Sequence, residues 1–297
     1  MFKSLTIYKV DPSWNISLDR AEEQAGKARF VECGPTQRMS MGWSEPRGEE
    51  HGRLVESVGG QWIMKCTIDK KILPASVIKK KLAERVKKIE ADTGRKPHKK
   101  ELKDLKEEVI LDLLPKAFSK QESVAVWIDP KKKLVVLDVG SQSKGDDIGS
   151  LLAATFEGFG LTLIQTQTSA ATSMAEWLRE RVCPTGFSID RDCELKTTDE
   201  AKSAVKYSHH GLDIEEVREH LKSGKVPTCL AMTWDDRVSF VLTDAMAIKK
   251  LAFLEVVFEK AKGDEDPFDA NAAIATGELS KLIPDLIEAL GGELAEA

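Results

Sequence analysis

The 297-residue chain contains no run of eighteen apolar residues, so no membrane-spanning helix is expected. Cysteine is sparse and unpatterned. Cys33, Cys66, Cys183, Cys193 and Cys229 are odd in number and scattered, with no C-x-x-C spacing. They read as reduced thiols acting as small buried hydrophobes, and a disulfide framework is not expected. With His209, His210 and His220 they match no zinc spacing, so the histidines read as surface or interface residues and no metal is expected. Nucleotide cradles of the form G-x-x-x-x-G-K-[ST] or strand-G-x-G-x-x-G are missing, and so is a G-x-S-x-G elbow. Gly158-Phe159-Gly160 precedes a strand pattern instead of opening a helix. Asp146-Asp147 and Asp235-Asp236 look like a helix start and a turn, where Asp serves backbone hydrogen bonding. No catalytic set assembles from these residues, so neither enzyme activity nor a cofactor is expected.

What is present is charge, unevenly spread. Charged residues make up 31% and apolar residues 41%, the balance of a soluble globular protein with a core of one large or two ordinary domains. The start, Met1-Phe2-Lys3-Ser4-Leu5-Thr6-Ile7-Tyr8, reads as a strand and not as an export signal, which points to the cytoplasm. The formal net charge is −5, yet Lys70–Lys106 holds twelve Lys and two Arg against five acids, a balance of +9 that leaves −14 on the remainder. A phosphate backbone feels the nearest surface first, so this segregation matters more than the total.

Periodicity places that charge on helices. Ile78, Leu82, Val86 and Ile89 recur at helical spacing after Pro74 and Ser76, and Leu102, Leu105, Val109 and Leu113 form a second stripe. Thr93-Gly94-Arg95-Lys96-Pro97 lets one helix stop and another begin, which predicts an antiparallel helical hairpin. Its first helix, Val77–Asp92, would be about 24 Å long. Around the hairpin, strands are predicted at Leu5–Val10, Gln61–Ile68, Ser123–Ile128, Leu134–Val139, Leu161–Gln165, Phe187–Leu195, Ala201–Tyr207, Val226–Thr233 and Val238–Thr243. Helices are predicted at Ser17–Ala28, Asp146–Phe156, Thr172–Arg181, Ile214–Ser223 and Gly277–Leu290. Gly34–Gly60 reads as a Gly/Pro-rich connection, and Asp129-Pro130-Lys131-Lys132-Lys133 as a hairpin turn with a basic tip. Strands and helices intermix without βαβα alternation, so the class is α+β.

A charged helix is most often a solvated face laced by i,i+4 pairs, here Glu84–Lys88 and Asp92–Lys96. The clusters Lys79-Lys80-Lys81, Lys87-Lys88, Arg95-Lys96 and Lys99-Lys100 exceed that pattern. Composition leaves three readings open: nucleic acid, an acidic protein or membrane surface, or no partner. Lys is a point charge suited to phosphate oxygens, whereas the base-reading Arg, Asn and Gln are scarce in the hairpin and aromatics absent. If nucleic acid is the partner, contact to the backbone without base readout is the consistent form.

Lys71-Ile72-Leu73-Pro74, Val77-Ile78-Lys79 and Leu113-Leu114-Pro115-Lys116-Ala117-Phe118-Ser119 bracket the charged hairpin. With Met41-Gly42-Trp43, Thr276-Gly277-Glu278-Leu279 and Glu288-Ala289-Leu290-Gly291-Gly292-Glu293, their order and spacing resemble the bacterial recombination-associated protein RdgC family over essentially the whole chain. The resemblance implies a head-to-head, tail-to-tail homodimer closed into a ring whose positive hole admits duplex DNA. It implies binding of single- and double-stranded DNA without sequence preference, antagonism of RecA-mediated strand exchange, a role in replication-fork processing, and residence in the nucleoid. The hairpin corresponds to the family's projecting finger or tip. Phe118 matches an interface phenylalanine that docks in the partner subunit, although an ordinary core Phe after a helix would look the same in sequence. Where the family carries a Lys-Gln pair near its second dimer contact, this chain has His209-His210, which implies a weaker or pH-dependent contact there.

The combined expectation is an elongated, multi-part α+β chain of mixed sheets and helices with a projecting basic helical hairpin, closing into a ring-shaped homodimer. Its segments are 1–73 (a centre part shared with later segments), 74–115 (the finger or tip) and 116–297 (centre and base). Lys79, Lys80, Lys81, Arg85, Lys87, Lys88, Arg95, Lys96, Lys99 and Lys100 are the candidate phosphate contacts. The competing readings are a metal-dependent DNA-processing enzyme, or a scaffold that docks an acidic protein.

Overall fold

The computed structural model describes residues 2–199, 203–259 and 266–294. The first part of the chain builds β1 (Thr6–Val10), α1 (Leu18–Lys27), β2 (Met39–Ser44), β3 (Glu56–Val58), β4 (Gln61–Lys71), α2 (Ala75–Thr93) and α3 (Lys99–Leu113). After a short turn of 3-10 helix at Leu114–Lys116 come β5 (Ser119–Asp129), β6 (Leu134–Leu137), α4 (Gln142–Thr155), β7 (Leu161–Leu163) and α5 (Ala170–Glu180). The last part supplies β8 (Phe187–Thr197), β9 (Ala204–Tyr207), α6 (Glu215–Lys222), β10 (Lys225–Trp234), β11 (Val238–Thr243), β12 (Ile248–Phe253), α7 (Glu255–Phe258) and α8 (Pro267–Ala289). The class is α+β, as expected. The strand predicted at Ala201–Tyr207 begins outside the described residues and is extended from Ala204.

Two sheets organise the molecule, and the pairings between their strands are antiparallel. One sheet runs β2-β4-β5-β6-β1-β7 with β3 added beside β4; the other runs β12-β11-β10-β8-β9. Trp62, Met64, Cys66 and Ile68 of β4 point into one core with Trp43, Val124, Val126, Ile148, Leu152 and Phe156, while Ile63 and Trp127 point into the other with α8 and the second sheet. The first sheet is thus covered on both faces. That is why Leu134–Leu137 is buried at every position and shows no alternation. The helices α2 and α3 leave and re-enter this sheet between paired strands, because β4 and β5 run side by side from Trp62↔Ile128 to Lys71↔Ser119.

The Gly/Pro-rich connection hides β2. A Cβ on Gly42 would lie 2.5 Å from Phe30 Cα and 2.9 Å from the Ala28 carbonyl oxygen, so only glycine lets the chain after α1 cross this strand. The basic turn between β5 and β6 folds inward. Lys133 Nζ donates to the Trp14 carbonyl, and Lys132 Nζ reaches the Ser280 carbonyl at 3.0 Å. Ser280 stands four residues before Pro284, whose missing N–H leaves that carbonyl without its helical partner. Two lysines that read as a basic tip therefore fasten α8 and the Trp14 loop.

Candidate nucleic-acid interface

The hairpin is built as its sequence signals require. Pro74 caps α2, and Gly94 ends it in the left-handed conformation (φ 70°) with its N–H on the Glu90 carbonyl. His98 caps α3, where Glu101 accepts the His98 N–H at 2.8 Å and holds both guanidinium nitrogens of Arg95 at 2.8 and 2.9 Å. The Arg95 guanidinium, helped by that backbone N–H, pulls the Glu101 carboxyl down to about 2. A folded-state value below the ordinary carboxylate range means that the clamp stabilises fully above that range and is lost as pH falls toward 2. Glu101→Gln is therefore expected to flatten the acid dependence of hairpin protection. Amide exchange at Gly94–Leu102 between pH 5 and pH 2 measures it.

Ile78, Leu82, Val86 and Ile89 are half-buried, and they face the stripe of α3, the helix against which α2 packs. No residue of α2 is fully buried, whereas α3 buries Val109 and Ile110 where it nears the sheet. Two helices alone cannot enclose a dry core, so the charged faces stay in water. Lys79, Lys80, Lys81, Lys87, Lys88, Arg95, Lys96, Lys99 and Lys100 are exposed, and Arg85 is half-buried.

The structure divides these candidates. Lys81 pairs with Glu84 at 2.8 Å, Lys96 with Glu90 at 3.9 Å and Arg95 with Glu101, while Arg85 bridges to Glu108 and Asp112 on α3. The expected Glu84–Lys88 and Asp92–Lys96 pairs are replaced by these. Over Ala75–Leu113 there are ten Lys and two Arg against eight acids, a balance of +4, because α3 ends acidic. Among the described residues Lys79, Lys80, Lys87, Lys88, Lys99 and Lys100 have no ion-pair partner, and neither do Lys103 and Lys106, which the motif clusters left out.

Phe118 is 85% exposed where the hairpin rejoins the sheet. Its carbonyl accepts the Ile72 N–H at 2.8 Å, and Ile72, Met39, Val77 and Leu111 close to that junction are exposed too. An ordinary core role for Phe118 is thereby replaced by an apolar side chain in water. His209 and His210 lie on the other sheet, exposed in the turn after β9. The His209 N–H donates to Asp192 at 2.8 Å, and the His210 ring stands 6.0 Å from that of Tyr207. Cys66 and Cys193 are buried, which pushes both thiols up to about 12, and all five cysteines are free. Among the described residues, no group of three or more His, Cys, Asp or Glu is placed to hold a metal ion. Among them, too, no helix is long and apolar enough to cross a membrane.

A two-sheet α+β scaffold with a lysine-rich helical hairpin inserted between paired strands is the class of protein these features define. A family model described as "Putative exonuclease, RdgC" matches residues 1–293. Curated relatives named recombination-associated protein RdgC align end to end. The protein of Dechloromonas aromatica (strain RCB) is 44% identical over 100% of this chain and 99% of its own. That of Janthinobacterium sp. (strain Marseille) is 40% identical over 99% and 98%. That of Cupriavidus necator is 40% identical over 98% of each. The chain belongs to the RdgC family of recombination-associated proteins.

Proposed function

We propose that this protein binds DNA through its phosphate backbone, without reading sequence and without cutting it. In this reading it closes with a second copy into a ring around duplex or single-stranded DNA, and it restrains RecA-mediated recombination and fork processing by occupying the strand a recombinase filament needs. One observation carries the reading: eight exposed lysines of α2 and α3 have no ion-pair partner among the described residues, on a hairpin without aromatics. Like charges held together repel, and a polyanion relieves that repulsion. Backbone contact predicts a steep salt response. If six to ten phosphates are neutralised, affinity falls about 10³–10⁵-fold between 50 and 200 mM salt. Titrating random-sequence linear and circular duplexes over that range, with Mg²⁺ or Mn²⁺ present, tests binding, capture and cleavage together. A flat salt response or nicked circles sink the proposal.

The exposed Phe118 supports the homodimer. Because Phe118 is 85% exposed, Phe118→Ala is expected to leave thermal stability within about 0.5 kcal/mol of the parent. If a second copy buries the ring, the same change weakens the dimer about 30-fold or more. Sedimentation equilibrium measures the dimer, and a melting scan on samples diluted until both chains are monomeric measures the fold.

A further inference from the structure

The first half of β5 has a neighbour on one side only. Trp62–Lys71 of β4 pairs with Ser119–Ile128, but β6 covers only Val126–Asp129, with Asp138 N–H adding a bond to the Ala125 carbonyl at 2.9 Å. Ser119, Lys120, Gln121, Glu122 and Ser123 are all exposed. In an antiparallel ladder, alternate residues turn their backbone groups toward the partner strand. The Ile72 N–H on the Phe118 carbonyl and the Asp138 N–H on the Ala125 carbonyl fix the phase. Even-numbered residues of this segment face β4, and Ser119, Gln121 and Ser123 turn their N–H and C=O groups outward. No backbone hydrogen bond to these outward groups exists among the described residues.

An open edge is usually blunted by charge of one sign or by a covering loop. Here the charge is self-complementary. If two copies pair antiparallel about Gln121, Ser119 meets the partner's Ser123, Gln121 meets the partner's Gln121, and Lys120 stands opposite the partner's Glu122 on both sides of the axis. This register also sets outward-facing residues against outward-facing residues, as hydrogen bonding between the strands demands. Lys120 needs such a partner. It lies directly across from Lys70 in the β4–β5 ladder, a like-charge pair that destabilises a sheet, and no acid pairs with either lysine among the described residues. Glu122 already holds Lys144 at 2.8 Å and would sit between two ammonium groups. The exposed Phe118 lies at the end of the same segment, continuous with the edge.

We infer that the free edge Ser119–Ser123 adds antiparallel to the same edge of a second copy, making one continuous sheet across two protomers. The inference rests on the homodimer proposed above and names one of its contacts.

Charge exchange on the full-length chain tests it, read by sedimentation equilibrium. Lys120→Glu and Glu122→Lys each set like charges opposite one another twice per dimer and weaken self-association about ten-fold or more. An equimolar mixture of the two variants forms a heterodimer of parental strength, since both facing pairs become opposite in sign. Gln121→Pro removes an outward N–H and no bond to β4, a position where an edge strand tolerates proline, so the monomer folds while the dimer weakens at least ten-fold. Gln121→Cys places two thiols on the axis with Cα atoms about 5.5 Å apart, inside the disulfide range, and gives a covalent dimer on mild oxidation. A parental dimer that ignores all these changes and binds DNA normally overturns the strand pairing while the DNA-binding ring stands. A parental chain that is monomeric overturns both the ring and the strand pairing.

Discussion

Replacing Lys79, Lys80, Lys87, Lys88, Lys99 and Lys100 together with glutamine is expected to weaken DNA binding at least about 100-fold at 100 mM salt and to make the salt dependence shallower by about five in log–log slope. The six are chosen on structural grounds. All are exposed and none is ion-paired among the described residues, so their loss breaks no such ion pair and circular dichroism should be unchanged. Lys81, Arg85, Arg95 and Lys96 are poorer probes. Arg85 joins α2 to Glu108 and Asp112 of α3, and Arg95 holds Glu101 at the turn, so replacing either alters the hairpin as well as its charge. Loss of affinity should be uniform across DNA sequences, because an ammonium group on a phosphate carries no base information. Filter binding or fluorescence anisotropy at four salt concentrations measures both quantities. An unchanged slope would remove the hairpin from the interface, and a loss confined to one sequence would contradict backbone recognition.

The hairpin was legible because its signals are local. Pro74, Gly94 and two stripes of helical period need no knowledge of the rest of the chain, and α2 and α3 begin and end within a few residues of where those signals fall. Its electrostatics were not, since the partners of Arg85 stand 23 and 27 residues away on the other helix. A window closed at Lys106 sees only the basic side of the hairpin. The acids that offset it, Glu107, Glu108 and Asp112, come immediately after. The same distinction runs through the fold. Helix α8 was expected from Gly277 but starts at Pro267, where Asp266 accepts the Phe268 N–H at 2.7 Å in an Asp-Pro start that the alanine-rich stretch behind it obscures. Strand β12 escaped because Lys249-Lys250 breaks the alternation, Lys250 being in the left-handed region (φ 51°) at an irregular pairing with β11. The open edge of β5 was invisible for another reason. Which side of a strand lacks a neighbour is a property of the whole sheet, and Lys120 and Glu122 gain meaning only once that side is known.

Strand β2 and Trp43 show how far a single core residue reaches, and Trp43→Ala is expected to cost about 4 kcal/mol. Trp43 is fully buried in the core between the first sheet and α4, where its indole N–H donates to Thr155 Oγ at 2.8 Å. Its backbone carries the chain after α1, accepting the Phe30 N–H and donating to the Ala28 carbonyl. Truncation therefore leaves a cavity beneath an edge strand. A loss of that size is a large fraction of the roughly 5–15 kcal/mol that holds a folded domain together, so the transition should fall by many degrees. Trp43→Phe separates volume from hydrogen bonding. The Thr155 hydroxyl still donates to the Leu151 carbonyl at 2.7 Å, so the ring substitution leaves no buried donor unpaired and should cost about half as much. Urea denaturation of the three chains gives the ordering parent, Trp43→Phe, Trp43→Ala. Intrinsic DNA affinity of the folded fraction, measured well below the transition, should stay within about three-fold, since distant sites act independently and α2 buries nothing in that core. Equal losses for Phe and Ala would mean that the indole hydrogen bond, and not the filled volume, holds β2 in place.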